Sequence, residues 1–464
     1  MKSQKCISLI SLFLFLVNHL TAVQITDTSG RQIEVDILNV EEARIEIRMA
    51  NGQTTWLERS RLSEQSNALI TATAEQDKDT HKVFNKLLGI QLFTDSNLWD
   101  DKTGSVAKRL KWPQESQTDN QSSFRKYPKP DDRILKSRPY SAVLYGDQGK
   151  AQNISIVFAN KGDFAFSDPP TAGEIQDMER AIDRDVTRIE DLLTKQIGEA
   201  ERQQYGSGRG LKQRIKRWNW KGHAFLLAHQ EGEYANLKIT NTTVADNKGR
   251  GEKLSDAALR NLSVENIISS ENGDVLIGNI PMVNQGPKGY CVPATFERYL
   301  RYLQIPADMY VLAMAGQTSV GGGTSLSSII DAIKSYASSY NRSMKAMKGE
   351  VDIRTVKKYI DKGLPLIWTM FSSPQYNNFV NERSKARAEN SDWDVWKDRS
   401  KSEARNMTLA KQINSAHACM IIGYNKETDE IAVSDSWGPS FAVRWIPTAQ
   451  AEQVSQGTLH LIEF

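Results

Sequence analysis

Cysteine and histidine are scarce in this sequence of 464 residues, which holds three cysteines and six histidines. So few cysteines cannot form a disulfide scaffold, and they are not clustered with histidines at the spacing of a zinc site. We therefore expect no metal and no cofactor. The net charge is only +3, which argues neither for nor against nucleic acid. Hydrophobic residues make up 39%, as in ordinary globular domains, and the length suggests about two to four of them.

An apolar run near the start, Ile7 to Val17, follows Lys2 and Lys5. It has about eleven residues, well short of the roughly 20 that a membrane-spanning helix needs. With Ala22 suited to cleavage, residues 1–22 are predicted to be a secretory signal peptide, the alternative being a membrane anchor. We thus expect export across the inner membrane, to the periplasm, the cell surface or the medium. The mature chain would have no transmembrane span.

Residues 23–74 are predicted to form a small β domain. Apolar and polar residues alternate around Val35 and Ile47, and Asn51-Gly52 is a strong hairpin signal. The segment resembles the Sla-one homology domain, a small SH3-like β-barrel, in Thr26-Asp27-Thr28-Ser29-Gly30, the strand with Val35, Asn51-Gly52 and Leu62-Ser63. The resemblance implies a protein partner for this module, and a plain β spacer is the alternative.

A polar linker is predicted at 75–82 and an α+β domain of unknown role at 83–262. The basic run at 209–217 lies beside tryptophan and is interpreted as a solvated face, so no nucleic acid is expected. The expected elements are a hairpin of 141–145 and 154–158, a helix over 171–196, a hairpin of 224–227 and 234–239, and a loop over 114–129.

The last predicted domain, 272–464, contains Cys291 after a glycine-rich turn. Apolar residues at helical spacing follow, so Cys291 is predicted to begin a helix, where the macrodipole and free N–H groups favour a thiolate. Gln285, six residues earlier, could direct its side-chain amide at the oxygen of a tetrahedral intermediate, together with the backbone N–H of Cys291.

A histidine is needed as the base, and His417 opens an apolar strand. After a polar turn, a second strand returns and ends at Asp435. In an antiparallel hairpin these two ends are neighbours. Asp435 would then hold one imidazole nitrogen and leave the other for Cys291, an arrangement suited to acyl transfer.

Two sets of motifs carry a resemblance to a known family: Gln285-x5-Cys291, His417-Ala418 and Ser436-Trp437-Gly438, and then Tyr290 to Ala294, Gly323-Thr324-Ser325 and Lys362 to Ile367. The first set resembles the papain-like cysteine peptidases, and the second resembles their bacteriocin-processing-peptidase-like branch. The resemblance implies Cys291 as nucleophile, His417 as base and Asp435 as the orienting residue. It also implies Gln285 as the oxyanion residue and Trp437 as a shield for the His–Asp contact.

Two further features leave alternatives open. Cys419 lies mid-strand, which favours a buried structural thiol, although a disulfide with Cys291 would suit an exported protein. The polar insertion at 371–415 is either a lid or substrate-side wall, or a solvated helical excursion with Trp393 and Trp396 packed down.

The sequence therefore predicts an α+β multidomain protein that acts as an exported cysteine peptidase on peptides or proteins. The alternative is a peptidase-fold protein without turnover that serves as a protein-binding module. A transglutaminase-like thiol acyl transferase is disfavoured, because in that family the cysteine and histidine are usually closer in sequence than Cys291 and His417.

Overall fold

The computed structural model describes residues 23–464 except 50, 52, 96, 165–166, 168–169, 209 and 320–322. The predicted signal peptide and Cys6 lie outside the described residues. Within the described ranges, no helix has the length and apolar character to cross a membrane. The chain divides into two compact units, one ending at Phe84 and including Phe93–Asn97, the other comprising Asn85–Leu92 and Leu98–Phe464.

The first unit begins with a four-stranded antiparallel meander, in the order β1-β2-β3-β4. Apolar side chains on alternate strand positions share a core with Leu62 and Ile70. The strands are β1 (Val23–Thr26), β2 (Gln32–Val40), β3 (Arg44–Met49) and β4 (Thr54–Glu58). The predicted hairpin residue Gly52 lies outside the described residues, and closure into an SH3-like barrel stays a prediction.

A long helix, α1 (Glu64–Leu88), follows a 3-10 turn at Arg59–Arg61. The sequence predicts a polar linker at 75–82, but α1 continues through that segment. No glycine or proline interrupts the helix, and Gly89, with φ +77°, follows its last residue. The polar composition at 75–82 therefore belongs to a continuous helix rather than to an irregular linker.

The second unit contains two large sheets. The first has the order β5-β6-β7-β8-β12-β11-β10-β9, with every neighbouring pair antiparallel. Its elements are α2 (Thr103–Leu110), β5 (Gln114–Gln117), β6 (Gln121–Lys126), β7 (Ser141–Asp147), β8 (Lys150–Asn160), α3 (Ala172–Ile197), β9 (Glu201–Tyr205), β10 (Gln213–Trp220), β11 (His223–Gln230), β12 (Tyr234–Asn241), α4 (Thr242–Asp246) and α5 (Asp256–Glu265).

Both expected hairpins are present, as β7–β8 and β11–β12. The expected helix is α3, and Thr171 and Glu174 form a capping box at its start. The loop predicted over 114–129 is wrong, because most of it forms β5 and β6. Its polar residues are buried by pairing with one another: Arg125 Nε lies 2.6 Å from Glu115 Oε1. Such pairing lets polar side chains enter a core.

The second sheet has the order β13-β14-β17-β16-β20-β15. Along one edge β17 pairs with β16 and then β14, and along the other with β18, which pairs with β19. The elements are β13 (Ile267–Ser269), β14 (Asp274–Ile277), α6 (Cys291–Tyr302), α7 (Met309–Ala315), α8 (Leu326–Ser339), β15 (Ser343–Lys348), α9 (Ile353–Ile360), β16 (Leu366–Phe371), α10 (Pro374–Ala388), α11 (Trp393–Asn406), β17 (Ala416–Asn425), β18 (Glu430–Ser434), β19 (Arg444–Pro447), α12 (Thr448–Val454) and β20 (Ser455–Glu463).

An apolar core joins the regions predicted as domains 83–262 and 272–464. Val157 and Leu226 of the first sheet pack in one buried cluster with Tyr290, Ala294 and Met309. Because burial of apolar surface drives such packing, the two regions form a single compact unit with two sheets.

The insertion at 371–415 forms α10 and α11, packed on the second sheet. Trp396 is buried, and its Nε1 donates to Glu430 Oε2 at 3.2 Å. Arg387 Nη2 lies 2.5 Å from Asp274 Oδ1, and Arg383 also pairs with Glu430. These buried ion pairs favour the packed helical excursion over a loosely attached lid.

Candidate active site

Cys291 is the first residue of α6, and Tyr290 is the N-cap. The preceding turn needs glycine at position 286, where φ is +72° and a Cβ would lie 2.7 Å from the ring of Tyr127. The turn thus brings the half-buried thiol to the helix N-terminus. The N–H groups of the first helical turn have no partner within the helix, so they favour negative charge on the thiol.

His417 and Asp435 are neighbours across the β17–β18 hairpin. Met420 pairs with Ser434, so Asp435 follows the last paired residue of β18. Nε2 of His417 lies 2.9 Å from Oδ1 of Asp435. This leaves Nδ1 of the imidazole for the thiol of Cys291.

Contacts among Cys291, His417 and Asp435 stabilise the charged form of each residue. Burial would lower the pKa of His417, but hydrogen bonds with Asp435 and Cys291 outweigh burial and raise this pKa from 6.5 to about 9. Burial would raise the pKa of Cys291, yet the hydrogen bond and charge of His417 lower it, helped by backbone N–H groups. Burial opposes ionisation of Asp435 too, but Arg444 and His417 lower its pKa. The arrangement therefore favours a thiolate–imidazolium pair.

Arg444 of β19 is a site residue for which the sequence carries little signal. Its Nε and Nη2 donate to Oδ2 of Asp435 at 3.0 and 2.5 Å. Its Nη1 donates at 3.0 Å to the side-chain oxygens of Asn377 and Asn381 on α10. The insertion therefore helps to hold the carboxylate behind the imidazole, a role that only the tertiary contacts reveal.

Gln285 lies on the same loop as Cys291 and is buried. Its backbone N–H donates to the carbonyl of Ser436 at 2.8 Å, which ties this loop to the segment after β18. Its Nε2 donates to the carbonyl of Lys288 at 3.3 Å, and its Oε1 has no hydrogen-bond partner. The amide must exchange this long hydrogen bond for one to a substrate oxygen before it can act as an oxyanion donor.

Trp437, which lies between Ser436 and Gly438 in the segment after β18, packs against the imidazole. The rings of His417 and Trp437 lie 4.7 Å apart between centroids, with planes inclined by 30°. The indole ring therefore covers part of the imidazole. Gly438 has φ +103°, which favours glycine at the turn after the tryptophan.

Arg298 of α6 is a second residue that the sequence does not single out. The side chain is buried, and its Nε donates to the carbonyl of Pro281 at 3.0 Å. Its Nη1 and Nη2 reach the carbonyl and hydroxyl of Ser434 at 3.2 and 2.5 Å. Arg298 thereby links the cysteine helix to the strand that ends at Asp435.

The remaining cysteine, Cys419, is fully buried on β17, as expected for a structural thiol. Burial raises its pKa well above the ordinary value. Cys291 and Cys419 are both free thiols, so the alternative of a disulfide between them is not realised. Among the described residues, no group of three or more His, Cys, Asp or Glu side chains is placed to hold a metal ion.

Comparison with known proteins gives one family match. The model of the Peptidase_C39 like family matches residues 277–456, a range that contains every site residue named above. No curated protein matches the chain. The match supports a papain-like C39 peptidase domain in this part of the chain, and hence a cysteine peptidase with a peptide or protein substrate.

Proposed function

We propose that the chain is an exported cysteine peptidase that hydrolyses peptide bonds through Cys291, His417 and Asp435. The single observation that carries this proposal is the hydrogen-bonded series from Asp435 through His417 toward the thiol at the start of α6. The series supplies the three groups of an acyl-transfer site: Cys291 as nucleophile, His417 as base and the Asp435 carboxylate that orients the base. Export rests on the predicted signal peptide at 1–22.

In the first half-reaction, the Cys291 thiolate attacks the carbonyl carbon of the scissile bond. The oxyanion is stabilised by the Cys291 backbone N–H and by Nε2 of Gln285 after it leaves the Lys288 carbonyl. The C–N bond then breaks, and the imidazolium of His417 gives its proton to the departing amine. The products of this step are a thioester on Cys291 and a free amine.

In the second half-reaction, neutral His417 takes a proton from water, which attacks the thioester carbonyl. The C–S bond breaks, a carboxylic acid leaves, and the thiolate–imidazolium pair is restored. Throughout, Asp435 keeps the imidazole in its orientation, and Arg444 keeps Asp435 in place. Trp437 limits the access of water to the His–Asp contact.

Limiting iodoacetamide tests the thiolate, with adducts mapped on Cys291 and Cys419 of the folded mature chain. We expect selective labelling of Cys291, lost in His417→Ala and retained in His460→Ala, which removes another buried histidine of the same sheet. A peptide-library digest comparing wild type with Cys291→Ser then tests turnover. Selective labelling without any cleavage would instead support the non-hydrolytic binding module, and absence of selective labelling would refute the thiolate itself.

A further inference from the structure

A cavity of about 220 Å³ lies between the first sheet and the helices that follow Cys291 in the second unit. One wall comes from the first sheet and its connections, with Tyr205, Lys238 and Lys248. The other comes from α6 to α8, with Arg301, Asp308 and Tyr336. None of the proposed catalytic residues lines the cavity, so it is a site separate from the thiol.

The first wall carries positive charge. The structure gives Lys238 and Lys248 no acidic partner among the described residues, and Nζ of Lys238 lies 5.6 Å from the ring centroid of Tyr205. Arg301, by contrast, pairs with Glu297 at 3.3 Å. Two lysines without a counter-ion at the edge of one cavity are suited to a carboxylate.

Two lining residues, Asp308 on the helical wall and Asn153 in β8 of the first sheet, each have a buried acceptor atom without a donor. Asp308 is 6% exposed, and its Oδ1 caps α7 by accepting from the N–H of Tyr310 at 2.9 Å. Its Oδ2 has no hydrogen-bond partner, and neither has the buried Oδ1 of Asn153, another lining residue. A buried acceptor left unpaired costs about 1–3 kcal/mol. An ammonium group, with three N–H donors and a positive charge, is the complement of such a pair.

The rest of the lining is mainly apolar or aromatic, including Leu211, Ile305 and Leu312. The volume lies below the roughly 300–1,000 Å³ of pockets that hold drug-sized ligands. We propose that this cavity binds a small zwitterion with an apolar side chain, a free amino acid or dipeptide. Its ammonium group meets Asp308 and Asn153, and its carboxylate meets Lys238 and Lys248.

The cavity also adjoins the cysteine helix. Tyr145 and Arg301, which line it, both bond to the fully buried Glu297 of α6, at 2.9 and 3.3 Å. Peptide hydrolysis releases free amino acids and short peptides. That the cavity binds a product of the Cys291 reaction therefore rests on the proposed function. Binding itself requires no turnover, so it is tested independently of Cys291.

Isothermal titration calorimetry on the full mature chain tests the proposal with L-leucine and L-leucyl-L-leucine as probes. We expect saturable binding of at least one probe. Its counterparts lacking one charge, 3-methylbutylamine and 4-methylpentanoate, should bind at least about tenfold more weakly. Absence of binding by both probes, or equal binding of 4-methylpentanoate and leucine, would overturn the proposed zwitterion site.

Variants locate the site. Asp308→Asn keeps a side-chain oxygen that can cap α7 but removes the charge, and we expect at least about tenfold weaker binding of the zwitterion. Lys238→Gln should weaken it similarly, whereas Lys334→Gln, on the exposed face of α8 and away from the lining, should leave it unchanged. Unaltered binding by both Asp308→Asn and Lys238→Gln would refute this location.

Discussion

Asp435→Asn removes one charge from the candidate site with little change in shape. The two carboxylate oxygens of Asp435 serve different donors, since Oδ1 accepts from His417 and Oδ2 from Arg444. Asparagine has only one acceptor oxygen for these two donors, and it has no negative charge to stabilise the imidazolium. The substitution should therefore lower the pKa of His417 and raise that of Cys291.

The size of the effect follows from the pKa of His417. The rise from 6.5 to about 9 corresponds to about 3 kcal/mol in favour of the imidazolium, achieved against burial. Of the two hydrogen bonds that oppose burial, the one to Asp435 has the larger effect. Its loss should lower this pKa by about 2, so that only about half of His417 remains protonated at pH 7. Between about pH 7 and 9 the Cys291 thiolate of the variant should therefore lack the charged imidazolium that stabilises it in the wild type.

The assay is the rate of Cys291 alkylation by iodoacetamide as a function of pH. In the wild type the thiolate forms below the ordinary thiol pKa, because His417 stays charged up to about pH 9. In Asp435→Asn we expect the rise in alkylation to move to higher pH. Asp274→Asn is the matched control, because it breaks another buried Asp–Arg pair, 2.5 Å from Arg387, in the same domain. An unshifted alkylation profile in Asp435→Asn would refute the charge argument.

Three further results are expected. Arg444→Met should lower the free energy of unfolding in urea by about 3–5 kcal/mol, because it leaves the buried Asp435 carboxylate without its strongest partner; strict additivity with Asp435→Asn would contradict this pairing. Burial raises the pKa of Asp163 to about 7, so the folded protein retains a proton that the unfolded chain has already released. The folded wild type should therefore lose stability as the pH rises from about 4 to about 7. Asp163→Asn should reduce that loss in urea titrations at several pH values, and an unchanged slope would count against it. Gly363→Ala should lower the thermal midpoint, because φ is +67° and a Cβ would collide with the carbonyl of Ser263; a midpoint equal to wild type would show that the turn adapts.

Short stretches of sequence predicted much of the candidate site. The turn before Cys291 and the helical spacing after it place the thiol at a helix start, because both signals are local. The hairpin from His417 to Asp435 is likewise read from two adjacent strands and their turn. The family match over 277–456 supports the peptidase domain that these motifs indicate, while the catalytic roles stay proposals.

Other features came from contacts between residues far apart in the chain. Polar residues at 114–126 form strands because Arg125 and Glu115 satisfy each other in the core. Similarly, Arg444 becomes a site residue only when β19 and α10 meet behind Asp435. A polar residue in isolation predicts exposure, since burial without a partner is costly.

The sequence by itself thus determined the elements that carry Cys291, His417 and Asp435, because turn chemistry and apolar periodicity act over a few residues. The tertiary structure alone decided which buried charges compensate one another. It alone also packed the region before α6 against the peptidase domain, creating the cavity beside Asp308. The physical reason is that partners for buried charges, and the walls of a cavity, come from segments whose approach is set by the packing of the whole core.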